Sequence, residues 1–140
     1  MLAAALALAA TGLAVFPCVY CKKEPATLRG FSDASTNRAT VKRWFGGNFK
    51  RNLAVRTGLA SGAVVLDVDD LDALTALEDR HGALPVTRQS QSNRGVHLWF
   101  RTTGVPIPSN NGGRVGPGHE SRGRVCLRPA HSPAPKLSGD

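Results

Sequence analysis

The stretch Val64-Val65-Leu66-Asp67-Val68-Asp69 constrains this chain more than any other segment. An unbroken aliphatic, largely β-branched run of this length reads as a strand near the centre of a sheet. Side chains of a strand alternate between its faces, so Asp67 and Asp69 belong to one face and Leu66 and Val68 to the other. Two carboxylates side by side repel each other, and a divalent cation with hard oxygen ligands relieves that repulsion. The pair therefore predicts magnesium or manganese. The plainer reading makes Asp69 a helix cap and Asp67 a solvated strand end, but Asp70 can cap the following helix equally well.

The rest of the chain is read around that strand. At 140 residues, with 41% hydrophobic and 20% charged residues, it has the composition of one globular domain and excludes collagen, coiled coil and wholesale disorder. An apolar helix over 2–10 leads through Thr11-Gly12 into a strand over 13–16. Residues 18–30 form a loop with a basic lip at Lys22-Lys23. Ser35 or Thr36 caps a helix to about Phe45, with Val41, Trp44 and Phe45 on one side and Gly46-Gly47 ending it. Strands follow over 52–57 and 63–69. A helix capped by Asp69 or Asp70 then presents Leu71, Leu74 and Leu77 and stops at Gly82. Shorter strands over 86–90, 96–101 and 120–127 complete an α/β (α+β) fold. Residues 1–128 make up the domain, and 129–140, with three prolines and no periodicity, read as an irregular tail.

The formal net charge of +8 is unevenly spread. Asp67, Asp69, Asp70, Asp72, Glu78 and Asp79 form an acidic island without a Lys or Arg, and basic residues dominate on both sides. Basic flanks attract phosphate while the island attracts cations, which suits a polyanionic ligand held at a metal centre. Cys18, Cys21 and Cys126 cannot all pair, so a reducing, cytoplasmic setting is expected. Cys18 and Cys21 have zinc-knuckle spacing, but no second pair follows and zinc is not expected. The run Leu2–Ala10 is too short to span a bilayer and no basic residue precedes it, so neither a membrane anchor nor an export signal is expected.

Two further constellations carry chemistry. In Arg94-Gly95-Val96-His97-Leu98-Trp99-Phe100-Arg101, alternation puts Val96, Leu98 and Phe100 on a core face and His97, Trp99 and Arg101 on the other. A histidine and an arginine beside a glycine turn can bind a triphosphate through charge-assisted hydrogen bonds. A structural histidine is the bland alternative. Glu120 is the one acid between Arg80 and Gly139, so it is either salt-bridged to Arg122 or Arg124 or a third ligand beside Asp67 and Asp69. A phosphatase built on the aspartate pair would need a later lysine and a second acidic pair. Only Lys136 and Glu120 follow Arg80 before the terminal Asp140.

In order along the chain, Gly12–Pro17, Lys23-Glu24-Pro25, Gly30–Thr36, Trp44-Phe45, Asn52–Gly58, Ser61–Asp69 and Arg94–Phe100 resemble the N-terminal bifunctional DNA primase/polymerase domain. This family is a branch of the archaeo-eukaryotic primases often encoded by phages and plasmids. The resemblance implies an RRM-like mixed sheet with helices on one face, the carboxylates on its open face, and a small N-terminal α/β unit. It implies two-metal nucleotidyl transfer with magnesium or manganese held by Asp67, Asp69 and Glu120, the last standing where the family usually has an aspartate. His97, Arg94 and Arg56 would bind the nucleotide. Arg88, Arg101, Arg114 and Arg122 are further candidates for neutralising it and a single-stranded DNA template. Unwinding would fall to a separate helicase. Arg94 replaces a glycine, and the family's closing strand and turn survive only as Arg124–Ser132, so the alternative is a truncated, inactive remnant that binds nucleic acid or nucleotide.

Overall fold

A computed structural model describes residues 1–91, 95–102, 104, 114–116, 119–122 and 124–127, the last three segments as backbone only. The described elements are α1 (Leu2–Ala10), β1 (Val15–Val19), a 3-10 turn (Gly30–Asp33), α2 (Arg38–Phe45), β2 (Arg51–Arg56), β3 (Ala63–Val68), α3 (Leu71–His81), β4 (Arg88–Gln91), β5 (Val96–Arg101), β6 (Arg114–Gly116), β7 (His119–Arg122) and β8 (Arg124–Leu127). They form two sheets, one of order β1-β2-β8 and one of order β4-β5-β3-β7-β6. The α+β class expected from the sequence is what the chain has. Every described pairing is antiparallel, however, where a mixed sheet was expected.

The N-terminal unit is built from small and branched residues. Ala5 and Ala9, one turn apart on α1, are buried with Val41 and Phe45 of α2 and with Val15, Leu53 and Val55 of the three-stranded sheet. Alanine at the contact lets the helix approach closely, and the β-branched strand residues fill the space against it. Asn37, rather than Ser35 or Thr36, caps α2: its Oδ1 accepts from the amides of Ala39 and Thr40 at 3.0 and 3.1 Å. Ser35 instead accepts from the Asn37 amide at 3.0 Å and so supports the cap from behind. In the 3-10 turn the Arg29 amide donates to Asp33, and its guanidinium reaches the same carboxylate at 2.8 Å. These contacts hold the Asp33 carboxyl below the usual range.

The two sheets share a corner. Residues 57–62 turn the chain from β2 into β3, with Gly58 and Gly62 at φ +79° and +57°, where a side chain would be strained. Ser61 accepts a hydrogen bond from the Ala14 amide at 2.8 Å and donates to the Arg56 carbonyl, tying the start of β1 to this turn. The single strand expected over 120–127 is instead two. β7 pairs with β3 in the larger sheet and β8 pairs with β2 in the smaller one, so the chain crosses the same corner a second time.

On α3, Asp70 supplies the cap by accepting from the Asp72 and Ala73 amides at 3.0 and 3.1 Å, and Gly82 ends the helix at φ +91°. The expected apolar stripe is only half-realised: no α3 residue is buried, Leu74 and Leu77 are half-buried, and Leu71 is exposed. Among the described residues no helix is long and apolar enough to cross a membrane.

Candidate functional site

The centre of the five-stranded sheet brings distant residues into one row. Cross-strand register places Ser90 of β4 opposite His97 of β5, His97 opposite Asp67 of β3, Asp67 opposite Glu120 of β7, and Glu120 opposite Arg114 of β6. Positions directly opposite one another in antiparallel strands lie on the same face. The neighbouring row on that face runs Arg88, Trp99, Val65, Arg122. Acidic positions thus stand in the middle of the sheet with arginine positions beside them.

Asp67 is 3% exposed. A buried carboxylate is strongly disfavoured unless opposite charge or hydrogen bonds compensate it. Here the His97 Nε2 lies 3.3 Å from Asp67 Oδ1, with the imidazole itself largely buried. The sheet face that carries both is not the open one expected. Val65 is fully buried, and Trp99 packs against the core formed by α1, α2, β1 and β2. The reason is the double corner, which turns this face of the larger sheet toward the N-terminal unit.

Strand β5 is held firmly under His97. The Trp99 indole donates to Ser90 Oγ at 2.8 Å, the Thr87 hydroxyl donates to the Trp99 carbonyl, and the Gln91 amide nitrogen donates to the Gly95 carbonyl at 2.9 Å. Gly95 itself lies against the end of β3. A Cβ there would overlap the Val68 carbonyl oxygen and come within 3.1 Å of the Asp69 Cα. Only glycine lets β5 reach the end of β3 at this point. The sequence marked Gly95 as a turn glycine; the close backbone approach, which depends on pairing with a strand nearly thirty residues earlier, left no local signal.

The remaining candidates divide. Asp69 lies one residue beyond the end of β3 and is exposed, and because Asp70 caps α3, Asp69 is not spent on that role. Glu120 stands beside Asp67 in register, and its side chain lies outside the described residues. Arg56 ends β2 in the other sheet, its guanidinium 5.4 Å from the centre of the Phe31 ring. The described contacts do not join it to Asp67. Arg94 lies outside the described residues, while Arg88 and Arg101 are exposed on the strands flanking the acidic row. Among the described residues no three His, Cys, Asp or Glu side chains are grouped to hold a metal ion, so the Asp67, Asp69 and Glu120 triad rests on register and proximity in sequence.

Chemically, the carboxylate of Asp67, the acidic position 120 across the strand and Asp69 beyond the strand end are hard-oxygen donor types, though the described side chains are not grouped around one point. Arginine positions around it suit a ligand with phosphate oxygens. No curated protein and no solved structure matches the chain significantly. The family model for the bifunctional DNA primase/polymerase, N-terminal, matches residues 5–134, which takes in both sheets and the whole acidic row. By that match the chain belongs to the bifunctional DNA primase/polymerase N-terminal domain family.

Proposed function

We propose that this domain performs metal-dependent nucleotidyl transfer, making or extending a primer on a single-stranded DNA template. The observation that carries the reading is the row His97–Asp67–Glu120 across the centre of the sheet, with Asp69 at the strand end beside it. Family membership supports DNA and nucleoside triphosphates as the substrate class.

In this reading Asp67, Asp69 and Glu120 would hold magnesium or manganese, whose chemistry there would be to acidify the attacking hydroxyl and neutralise charge on the leaving pyrophosphate. The protein's own contribution is placement. Asp67 is fixed by burial in the central strand, so its carboxylate keeps one orientation without the entropy loss of ordering a surface side chain. His97, whose Nε2 lies 3.3 Å from Asp67 Oδ1, is assigned to the triphosphate, with Asp67 balancing the charge of an imidazolium there. Arg88 and Arg101 flank the row and neutralise further phosphate charge, with Arg94, Arg114 and Arg122 as additional candidates. Burial of Asp67 and His97 strengthens the interaction between those two. Arg56 is assigned to the nucleotide only through the family resemblance. The reaction is placed in the cytoplasm, with strand separation supplied by a separate helicase.

The test is primer synthesis and extension on a single-stranded template with magnesium or manganese. Asp67→Asn and Asp69→Ala should each lower turnover by roughly a hundredfold or more. Asp69 is exposed and outside the helix cap, so its loss should leave thermal stability unchanged. Full activity in both variants would overturn the assignment of the carboxylates. Absence of activity in the natural chain, with nucleotide or DNA binding intact, would favour an inactive binding remnant instead.

A further inference from the structure

A second group of charged and aromatic side chains lies apart from the acidic row, at the end of the three-stranded sheet remote from the shared corner. Register there ends with Val19 opposite Arg51, which brings the turn 20–24 beside residues 48–50. The Lys50 ammonium lies 5.6 Å from the centre of the Tyr20 ring, and the Arg51 guanidinium 5.6 Å from that of Phe49. Both rings remain accessible: Tyr20 is 40% and Phe49 77% exposed. Lys22 and Lys23 are exposed on the same turn, where Glu24 is the only acid.

This turn is a built structure. The Val19 amide donates to the Glu24 carbonyl at 2.8 Å and the Lys22 amide to the Val19 carbonyl at 3.0 Å. From below, the fully buried Asn52 donates through Nδ2 to the Lys22 carbonyl at 3.1 Å. Burying an amide side chain to hold a surface turn in one shape presents Lys22 and Tyr20 in a fixed arrangement. Exposed aromatic rings are otherwise unfavourable at a surface, and two of them interleaved with four cations make the pattern that stacks bases and tracks a phosphate backbone.

Position strengthens the argument. β2 and β3 leave the same turn, and Arg51 lies ~17 Å along β2 from its corner end while Asp67 lies ~13 Å along β3 from its own. The aromatic cluster and the acidic row therefore occupy the ends of their sheets that point away from the common corner. We infer that Tyr20, Phe49, Lys22, Lys23, Lys50 and Arg51 form a platform for a single-stranded nucleic acid, engaging the template outside the acidic row. The choice of a single strand, over an anionic membrane or an acidic protein, rests on the nucleotidyl-transfer reading and on the accessible ring faces.

The experiment measures binding of a fluorescent single-stranded oligonucleotide to the full chain without metal or nucleotide. Phe49→Leu and Tyr20→Ala should each weaken binding roughly tenfold, with Phe49→Tyr restoring it, and the melting temperature of the Phe49 variants should not move. Replacing Lys22, Lys23 and Lys50 by alanine should reduce the salt dependence of log Kd by about two. Asp67→Asn should bind the oligonucleotide normally while failing to extend a primer, which separates the two assignments. Unchanged affinity in the Phe49 and Tyr20 variants would overturn the platform and leave the acidic row untouched. Loss of binding in them with no extension by the natural chain would uphold the platform and reject nucleotidyl transfer. Equal binding to anionic vesicles, lost in the same variants, would overturn the assignment of the partner.

Discussion

Asp67 is an unfavourable side chain to bury, and the residues around it show how the cost is met. His97 stands within ion-pair distance, Trp99 and Ser90 hold its strand, and Gly95 lets that strand come against Val68. Gly95→Ala is the sharpest test of this arrangement, because the clash is with backbone atoms that cannot rotate away. We expect a loss of about 1–3 kcal/mol in stability, seen as a lower melting temperature. Primer extension should fall further than this destabilisation explains, since the displaced strand carries His97. A variant with native melting and native activity would show that the contact tolerates a methyl group. At this scale the sequence was legible in part: alternation identified His97 and Asp67 as exposed-face candidates of two strands. Their mutual contact was not, because thirty residues separate them and nothing local marks which strands pair.

Among the elements, α3 separates the aspartate that caps a helix from the one proposed as a metal ligand. Asp70 caps the helix through the Asp72 and Ala73 amides, and Asp69 has no part in those bonds. Asp70→Ala should cost about 1 kcal/mol by thermal or denaturant unfolding and leave metal-dependent activity near that of the natural chain. Asp69→Ala should do the reverse. If Asp70→Ala abolished activity at unchanged stability, the roles of the two would have to be exchanged. The apolar spacing of Leu71, Leu74 and Leu77 correctly announced a helix but overstated its burial, since periodicity reports which face could pack and not how much surface waits to receive it. The strand expected over 120–127 was likewise correct in kind, and its division between two sheets had no local signal because both halves are extended.

For the whole molecule, the corner at 57–62 sets how the larger sheet meets the N-terminal unit. Ser61 is its fastener, accepting from the Ala14 amide 47 residues earlier in the chain and donating to the Arg56 carbonyl. Ser61→Ala should lower stability by about 1–3 kcal/mol by leaving part-buried backbone groups without their hydroxyl partner. An unchanged melting temperature would show that solvent replaces the hydroxyl at no loss. The sequence by itself determined the three α-helices and the central strands, the capping of α3 by one of two aspartates, and the candidate carboxylates. All of these follow from backbone preference and side-chain period within a few residues. β1, however, runs to Val19 instead of Phe16, and β6 was not expected. Only the tertiary structure decided that β7 and β8 belong to different sheets, that the face bearing Asp67 turns inward, and that His97 meets it. Those outcomes depend on antiparallel pairing and packing between segments far apart in the chain, where hydrophobic burial has no direction of its own and register chooses the neighbours.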